Sequence, residues 1–344
     1  MFDSNLHIKN LTKVILVLFL VLNFHPIYIK AQTKEVIAQK GDGIYRLLTR
    51  NGLPVSDYMT AFIELNKNLL GKNNTLVAGV KYKLPDSEAD DESPASSGGT
   101  FSTYSIFGKD YERVEILDNT LLGAVYYLVA GHGGPDPGAV GKYGNHSLCE
   151  DEYAYDVTLR LARRLIEHGA SVYMITRDPN DGIRNDSYLK ADKDERCYPN
   201  QSIPLNQVKR LRQRTDAVNN LYLKNKTAFQ RMIAIHVDSR SRGENIDVFF
   251  YHDKRSDTGN KAADTLLKTF QDKYNQHQPG RGYKGSVSSR NLYVVKNTYP
   301  VAVYIELGNI NHTRDQQRFI RVDNRQAVAN WLAEGLITDF KTNK

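Results

Sequence analysis

Residue types that bind metal ions or move protons stand at the ends of apolar runs in this chain. His132 lies in VAGHGGPDPGAVG (129–141), directly after the run Val125–Ala130. His236 lies in AIHVDS near the end of Met232–Val237, and Glu306 lies in YIELGN near the end of Ala302–Leu307. Two imidazoles and a carboxylate delivered by three strand ends suit zinc, which takes nitrogen and oxygen ligands and in catalytic sites keeps one position open. Gly131 and Gly133 let the backbone turn sharply around His132. A third metal ligand has to come from elsewhere. Glu150, Asp151 and Glu152 open a helical pattern. Carboxylates are favoured there by the helix dipole alone, and spacing by itself does not choose between Glu150 and Glu152. His146, His252 and His312 read as surface or neighbouring residues rather than ligands. The glycine-rich stretch lacks the lysine and the spacing of a phosphate-binding loop.

The elements that must position these residues follow from 125 onward. Strand-like runs are Val125–Ala130, Ser171–Thr176, Met232–Val237, Asp247–Tyr251, Leu292–Val295 and Ala302–Leu307. Helical patterns occupy Tyr153–His168, Leu205–Leu223, Lys261–Tyr274 and Val322–Phe340. This alternation predicts an α/β fold: a twisted, mostly parallel six-stranded sheet with helices on both faces. Functional residues of such sheets collect outside the carboxyl ends of the strands.

Upstream, residues 35–85 form a separate small unit. Val36-Ile37 reads as a strand, and Ile44, Leu47 and Leu48 have helical spacing ended by Gly52-Leu53-Pro54. A second helix carries Met59, Phe62, Ile63 and Leu65, and Val80–Leu84 closes the unit as a strand. Residues 86–100, DSEADDESPASSGGT, read as a flexible linker, and 101–124 as a lead-in to the domain at 125–341.

Composition is that of a globular protein, 40% hydrophobic and 25% charged, which excludes wholesale disorder. Lys9 and Lys13 precede the apolar run Val14–Leu22, Pro26 ends it, and Ala31 offers a cleavage residue, so 1–31 reads as a secretory signal peptide. The net charge is +7; loss of Lys9, Lys13, Lys30 and Asp3 with that segment leaves +5. A mildly basic exported protein suits anionic cell-wall polymers, and no basic cluster with interleaved aromatics points to nucleic acid. The apolar run is too short to span a bilayer comfortably, so no stable membrane span is expected after signal removal.

Two family resemblances add to this reading. GDGIYRLLTRNG, IELNKNL and GVKYKLP in βααβ order resemble the lysin motif (LysM) family, which implies binding of N-acetylglucosamine-containing glycans. GHGGPDPGAVG, EDEYAYDVTLRLARRL, RTDAVN (Arg214 to Asn219), AIHVDS and YIELGNINH, in that order, resemble the zinc-dependent N-acetylmuramoyl-L-alanine amidases of the amidase-3 family. The resemblance implies zinc held by His132, Glu152 and His236, the glutamate chosen because it precedes the apolar Val157 by five positions. It implies Glu306 as the catalytic carboxylate, acting as general base and acid on water whose pKa zinc lowers toward about 7. The bond expected to be cut joins N-acetylmuramic acid to L-alanine in peptidoglycan, in a periplasmic or wall-associated location. Arg290 is a candidate contact for stem-peptide carboxylates, a protein activator is a candidate partner, and a Cys149–Cys197 bridge would pin the long polar segment 178–204. The alternatives are a non-catalytic peptidoglycan-binding protein and a zinc carboxypeptidase acting on wall peptides.

Overall fold

The computed structural model describes residues 34–39, 42–44, 47, 48, 51, 53, 55–85, 101–239 and 245–343; the expected signal segment 1–31 and linker 86–100 lie outside the described residues. The chain divides into two compact units, Met1–Asp91 and Glu92–Lys344.

In the smaller unit, β1 (Glu35–Ile37) pairs antiparallel with β2 (Lys81–Lys83), placing Val36 opposite Tyr82. Ile44, Leu47 and Leu48 are helical, and α1 spans Val55–Asn66. Leu47, Leu48, Phe62, Tyr82 and Leu84 form its core. Of the residues expected to line the second helix, Phe62 is fully buried whereas Leu65 is exposed. Asn66 fastens the end of α1 to the closing strand: its Nδ2 donates to Lys83 O and its Oδ1 accepts from Lys83 N, each at 2.8 Å.

The larger unit is built on a six-stranded sheet in the order β14-β13-β15-β12-β5-β8. These strands are β5 (Ala124–Ala130), β8 (Ser171–Met174), β12 (Phe229–Asp238), β13 (Phe249–His252), β14 (Ser286–Ser289) and β15 (Val301–Asn309). Neighbours are parallel except β13 and β15, which are antiparallel. Along β5 the side chains alternate: Tyr126, Leu128 and Ala130 enter one core cluster, Val125, Tyr127 and Val129 the other. That period of two is what a strand buried on both faces produces. Helices α2 (Glu150–Glu167), α4 (Asp257–His277), α6 (Thr313–Ile320) and α7 (Val322–Asn343) contribute to the first cluster; α3 (Gln207–Lys224) and the short α5 (Tyr293–Asn297) contribute to the second.

One expected strand is corrected. Leu292–Val295 belongs to the start of α5, and one edge strand of the sheet is instead β14, whose residues SVSS carry no apolar run. A short apolar run fits a buried helix turn as well as a strand; here Val294 and Val295 are buried in the second cluster. The expected lead-in holds a structured ribbon, β3 (Phe101–Thr103) paired with β4 (Arg113–Glu115), with Val114 in the first cluster. A hairpin of β6 (Val140–Tyr143) and β7 (His146–Cys149) runs directly into α2. The long segment after β8 is partly ordered by the small sheet of β9 (Thr176–Arg177), β10 (Arg196–Cys197) and β11 (Gln201–Ser202).

Asp156, in the middle of α2, ties that segment to the helices. Its Oδ2 accepts from Arg160 Nε at 2.8 Å and Arg325 Nε at 2.6 Å, and its Oδ1 from Arg184 N at 2.8 Å. Arg160 and Arg325 in turn donate to the carbonyl of Arg184. Burial alone would raise the Asp156 pKa, but the two guanidinium groups lower it to about 2. A folded-state pKa below the unfolded value of about 4 stabilises the fold above that pH, and the contribution is lost as the pH falls through about 2. Asp156→Ala leaves two buried guanidinium groups without their shared carboxylate, so it should cost about 3–5 kcal/mol near neutral pH. Urea melts should show that gap shrinking as the pH drops toward about 2.5; an equal gap at both pH values would contradict the role given to Asp156.

Candidate active site

The parallel register brings the strand-end residues together. Ile235 on β12 stands beside Ala130 on β5, and His236 stands beside Glu306 on β15. Segments far apart in the chain thus end on one edge. Gly131 continues β5 by donating its N–H to Ile235 O at 2.9 Å, and His132 follows. The His132 and His236 rings meet edge to face with centroids 5.0 Å apart.

The carboxylate between the two rings is that of Glu150, the first residue of α2. Its Oε1 lies 3.3 Å from His132 Nε2 and 2.9 Å from His236 Nδ1. Oε1 also accepts the Val237 N–H at 2.9 Å, and Oε2 accepts the Ala139 N–H at 2.8 Å. Burial would raise the Glu150 pKa, but hydrogen bonds from the two imidazoles hold it well below the usual carboxylate range. His132, His236 and Glu150 each offer a ligand atom within 4.8 Å of the others. A donor set of two imidazole nitrogens and a carboxylate oxygen fits a divalent transition metal such as zinc.

This corrects the expected ligand Glu152. Its Oε2 accepts from Arg184 Nη2 at 2.7 Å and its Oε1 from Asp192 N at 3.1 Å, so it faces the 178–204 segment and not the imidazoles. The reason is helical geometry. Two residues turn a helix by about 200°, so Glu150 and Glu152 point in nearly opposite directions, whereas seven residues return to the same face. Glu150, Val157 and Leu161 therefore share a face, and Val157 and Leu161 are buried in the first core cluster. That signal was present in the sequence.

The neighbours of the imidazoles are also built. His132 Nδ1 is 2.9 Å from Asp136 Oδ2, which accepts from Arg210 Nη2 at 2.7 Å. Arg214 Nη2 donates to His132 O at 3.0 Å. Burial would lower the His132 pKa, but Asp136 and Glu150 raise it to about 9. His236, buried against the sheet, is lowered to about 4 by desolvation. Its ring stacks on Tyr304 with centroids 4.1 Å apart. Asp136, Arg210, Arg214 and Tyr304 were not singled out from the sequence for this site; the PDPG turn and the RTDAVN stretch read as structure there. Two glycines are required by close approach. A Cβ on Gly131 would overlap the His236 ring, and one on Gly138, at φ +67, would lie 2.6 Å from Glu150 Oε2 and 2.8 Å from His132 Cδ2.

Glu306 is buried beside this group, and its Oε2 has no hydrogen-bond partner among the described residues. Burial, then the charges of Glu150 and Asp238, push its pKa well above the usual range, while Tyr304 opposes them. Alongside lies a cavity of about 210 Å³ lined by His132, Arg210, Arg214, His236, Tyr293 and Tyr304 among others. Arg290 is exposed, with its guanidinium 4.8 Å from the centroid of Tyr251, whose ring is 6.1 Å from that of Tyr304. Cys149 and Cys197 are both free: Cys197 is buried in the second core cluster, and Cys149 ends the β7 hairpin strand.

An α/β protein with a candidate metal centre at the carboxyl ends of parallel strands is the class these features define. The sequence pattern of N-acetylmuramoyl-L-alanine amidase matches residues 127–338, more than half of the chain, and the chain belongs to that family. Among curated proteins it is similar to a probable cell wall amidase, LytH, of Staphylococcus aureus, 27% identical over 222 residues that cover 63% of this chain. The matched stretch spans 59% of that relative's length. Among solved structures it is similar to the amidase AmiC2 of Nostoc punctiforme (18% identity, TM-score 0.45, 64% of this chain and 98% of that one). It is also similar to the catalytic domain of CwlV from Bacillus (Paenibacillus) polymyxa var. colistinus (21% identity, TM-score 0.46, 64% and 99%).

Replacing the two glutamates separates their roles. Glu150→Gln should weaken binding of a divalent metal such as zinc by more than about 100-fold, and Asp136→Asn, which disturbs the contacts of Asp136 with His132 and Arg210, by about 10- to 100-fold. Glu152→Gln should leave zinc affinity unchanged in a chelator-competition titration; a loss there equal to that of Glu150→Gln would reverse the assignment.

Proposed function

We propose that this protein is a zinc-dependent N-acetylmuramoyl-L-alanine amidase that cuts the amide between N-acetylmuramic acid and L-alanine in peptidoglycan. The observation that carries the reading is the meeting of His132, Glu150 and His236 beside a buried carboxyl group with an unpartnered oxygen, in a chain of the amidase family. His132 through Nε2, His236 through Nδ1 and Glu150 through Oε1 would hold the metal, which when bound supplies Lewis-acid polarisation of the scissile carbonyl and a lowered pKa for water. Asp136 fixes the orientation of the His132 ring, and Val237 and Ala139 fix the Glu150 carboxylate. Glu306 takes a proton from the attacking water at its free Oε2 and passes it to the departing amine of L-alanine. Its raised pKa favours holding that proton between the two events. The cavity beside His132 and Tyr304 receives the substrate, and Arg290, over the Tyr251 ring, contacts a stem-peptide carboxylate.

The rest of the chain fits this role. The unit at 35–85 is a LysM-like module that holds glycan and keeps the catalytic domain, 125–341, on its polymer. Residues 1–31 direct export, and the protein works in the periplasm or at the cell wall, in remodelling or daughter-cell separation. Among the described residues, no helix is long and apolar enough to cross a membrane.

Digestion of purified sacculi tests the reading. The wild type should release intact stem peptides and leave free glycan strands. Chelation, or Glu306→Ala, should slow release by at least about 100-fold. Release of single terminal residues would mean a carboxypeptidase, no release a wall-binding protein, and equal rates with and without chelator would end the zinc mechanism.

A further inference from the structure

Asp151, Glu152 and Glu195 form a second group of convergent ligands. Each offers an oxygen within 4.8 Å of the others, and all three residues are buried. Two come from the first turn of α2, and Glu195 comes from the 178–204 segment. Asp151 is only 2% exposed, and while its Oδ1 accepts the N–H of Glu152 at 2.9 Å, its Oδ2 has no hydrogen-bond partner among the described residues. A buried carboxylate oxygen with nothing to bind is costly unless something occupies the space in front of it. Among the described residues, Arg184 pairs with Glu152 but is shared with Asp181.

We propose that Asp151, Glu152 and Glu195 hold a hard divalent cation, calcium, distinct from the metal of the histidine centre. The donor set is all oxygen, which suits calcium and magnesium and not a metal that seeks imidazole or thiolate. The spacing suits it as well: ligand oxygens sit about 2.3–2.6 Å from calcium, so two of them cannot stand more than about 5 Å apart. A divalent charge offsets the crowding of three buried carboxyl groups. Hydrogen bonds already orient two of the ligands, Glu152 through Arg184 and Asp192, and Glu195 through the Gly134 N–H. Gly134 is two residues past His132, so the cation joins three pieces: the long segment, the start of α2, and the loop that carries His132. It orders the segment over the sheet edge without taking part in the reaction, and the inference stands whether or not the chain is an amidase.

Calcium titration of the full chain, loaded beforehand with one equivalent of zinc, tests this by calorimetry and thermal melting. One calcium should bind, and an excess of about 100-fold over Kd should raise Tm by about 5 °C or more. The double variant Asp151→Asn/Glu195→Gln should show neither the heat nor the shift, while His236→Ala keeps both. If the double variant does not fold, Glu195→Gln alone should weaken calcium by at least about 10-fold. The absence of calcium binding to the wild type overturns the proposal. So does binding that survives loss of these carboxylates but disappears in Asp178→Asn, which would move the ion to the more exposed group of Asp178, Asp192 and Asp194.

Discussion

The buried carboxylate of Glu150 is the constraint around which the larger unit is arranged. A carboxylate out of water needs hydrogen bonds to every lone pair it keeps. Glu150 has them from three directions: the Ala139 N–H on the glycine loop, the Val237 N–H at the end of β12, and the imidazoles of His132 and His236. Those donors belong to segments that meet only when β5 and β12 are paired in register and α2 begins at the strand edge. The site is therefore a consequence of the completed fold. The glycines follow from the same requirement. Gly131 and Gly138 lie so near the His236 ring and the Glu150 carboxylate that a methyl group at either position would push the ligands apart.

What could be read in the sequence, and what could not, divides along physical lines. The central strands β5, β12 and β15 were legible because both faces are buried and the runs are continuous. The helices α2, α3, α4 and α7 were legible from their period. One edge of the sheet was not: β14 reads SVSS, with a single apolar residue, and Leu292–Val295 imitated a strand because its valines are buried on a single helical turn, whereas β8 at the other edge keeps an apolar run. His132, His236 and Glu306 stand out in the sequence because strand ends in a parallel sheet are where functional residues gather. Glu152 follows from the family resemblance, matched through a five-residue step to Val157, and five residues do not return a helix to the same face. Supports such as Asp136, Arg210 and Tyr304 could not be weighed without contacts, since an aspartate in a Pro-Asp-Pro turn and an arginine on a helix have ordinary structural uses.

The three consecutive acids at the start of α2 gather these points. A carboxylate near a helix N-terminus is stabilised by the unpaired N–H groups there, whatever else it does. That common stabilisation makes the run Glu150-Asp151-Glu152 look like simple helix capping. Successive residues, however, step around the axis by about 100°. Glu150 consequently looks inward to the imidazoles, and Glu152 outward to Arg184 and the Asp192 N–H. Asp151 stands between them, beside Glu195. One turn of helix thus faces two compartments: the strand edge, where the candidate chemistry is, and the long segment after β8. Asp156, one turn and a half further on, holds the same segment through Arg184. A displacement of that segment would act on the start of α2, and through Glu150 on both histidines. The 178–204 excursion is for this reason a structural neighbour of the candidate metal centre, although its sequence is polar and without regular periodicity.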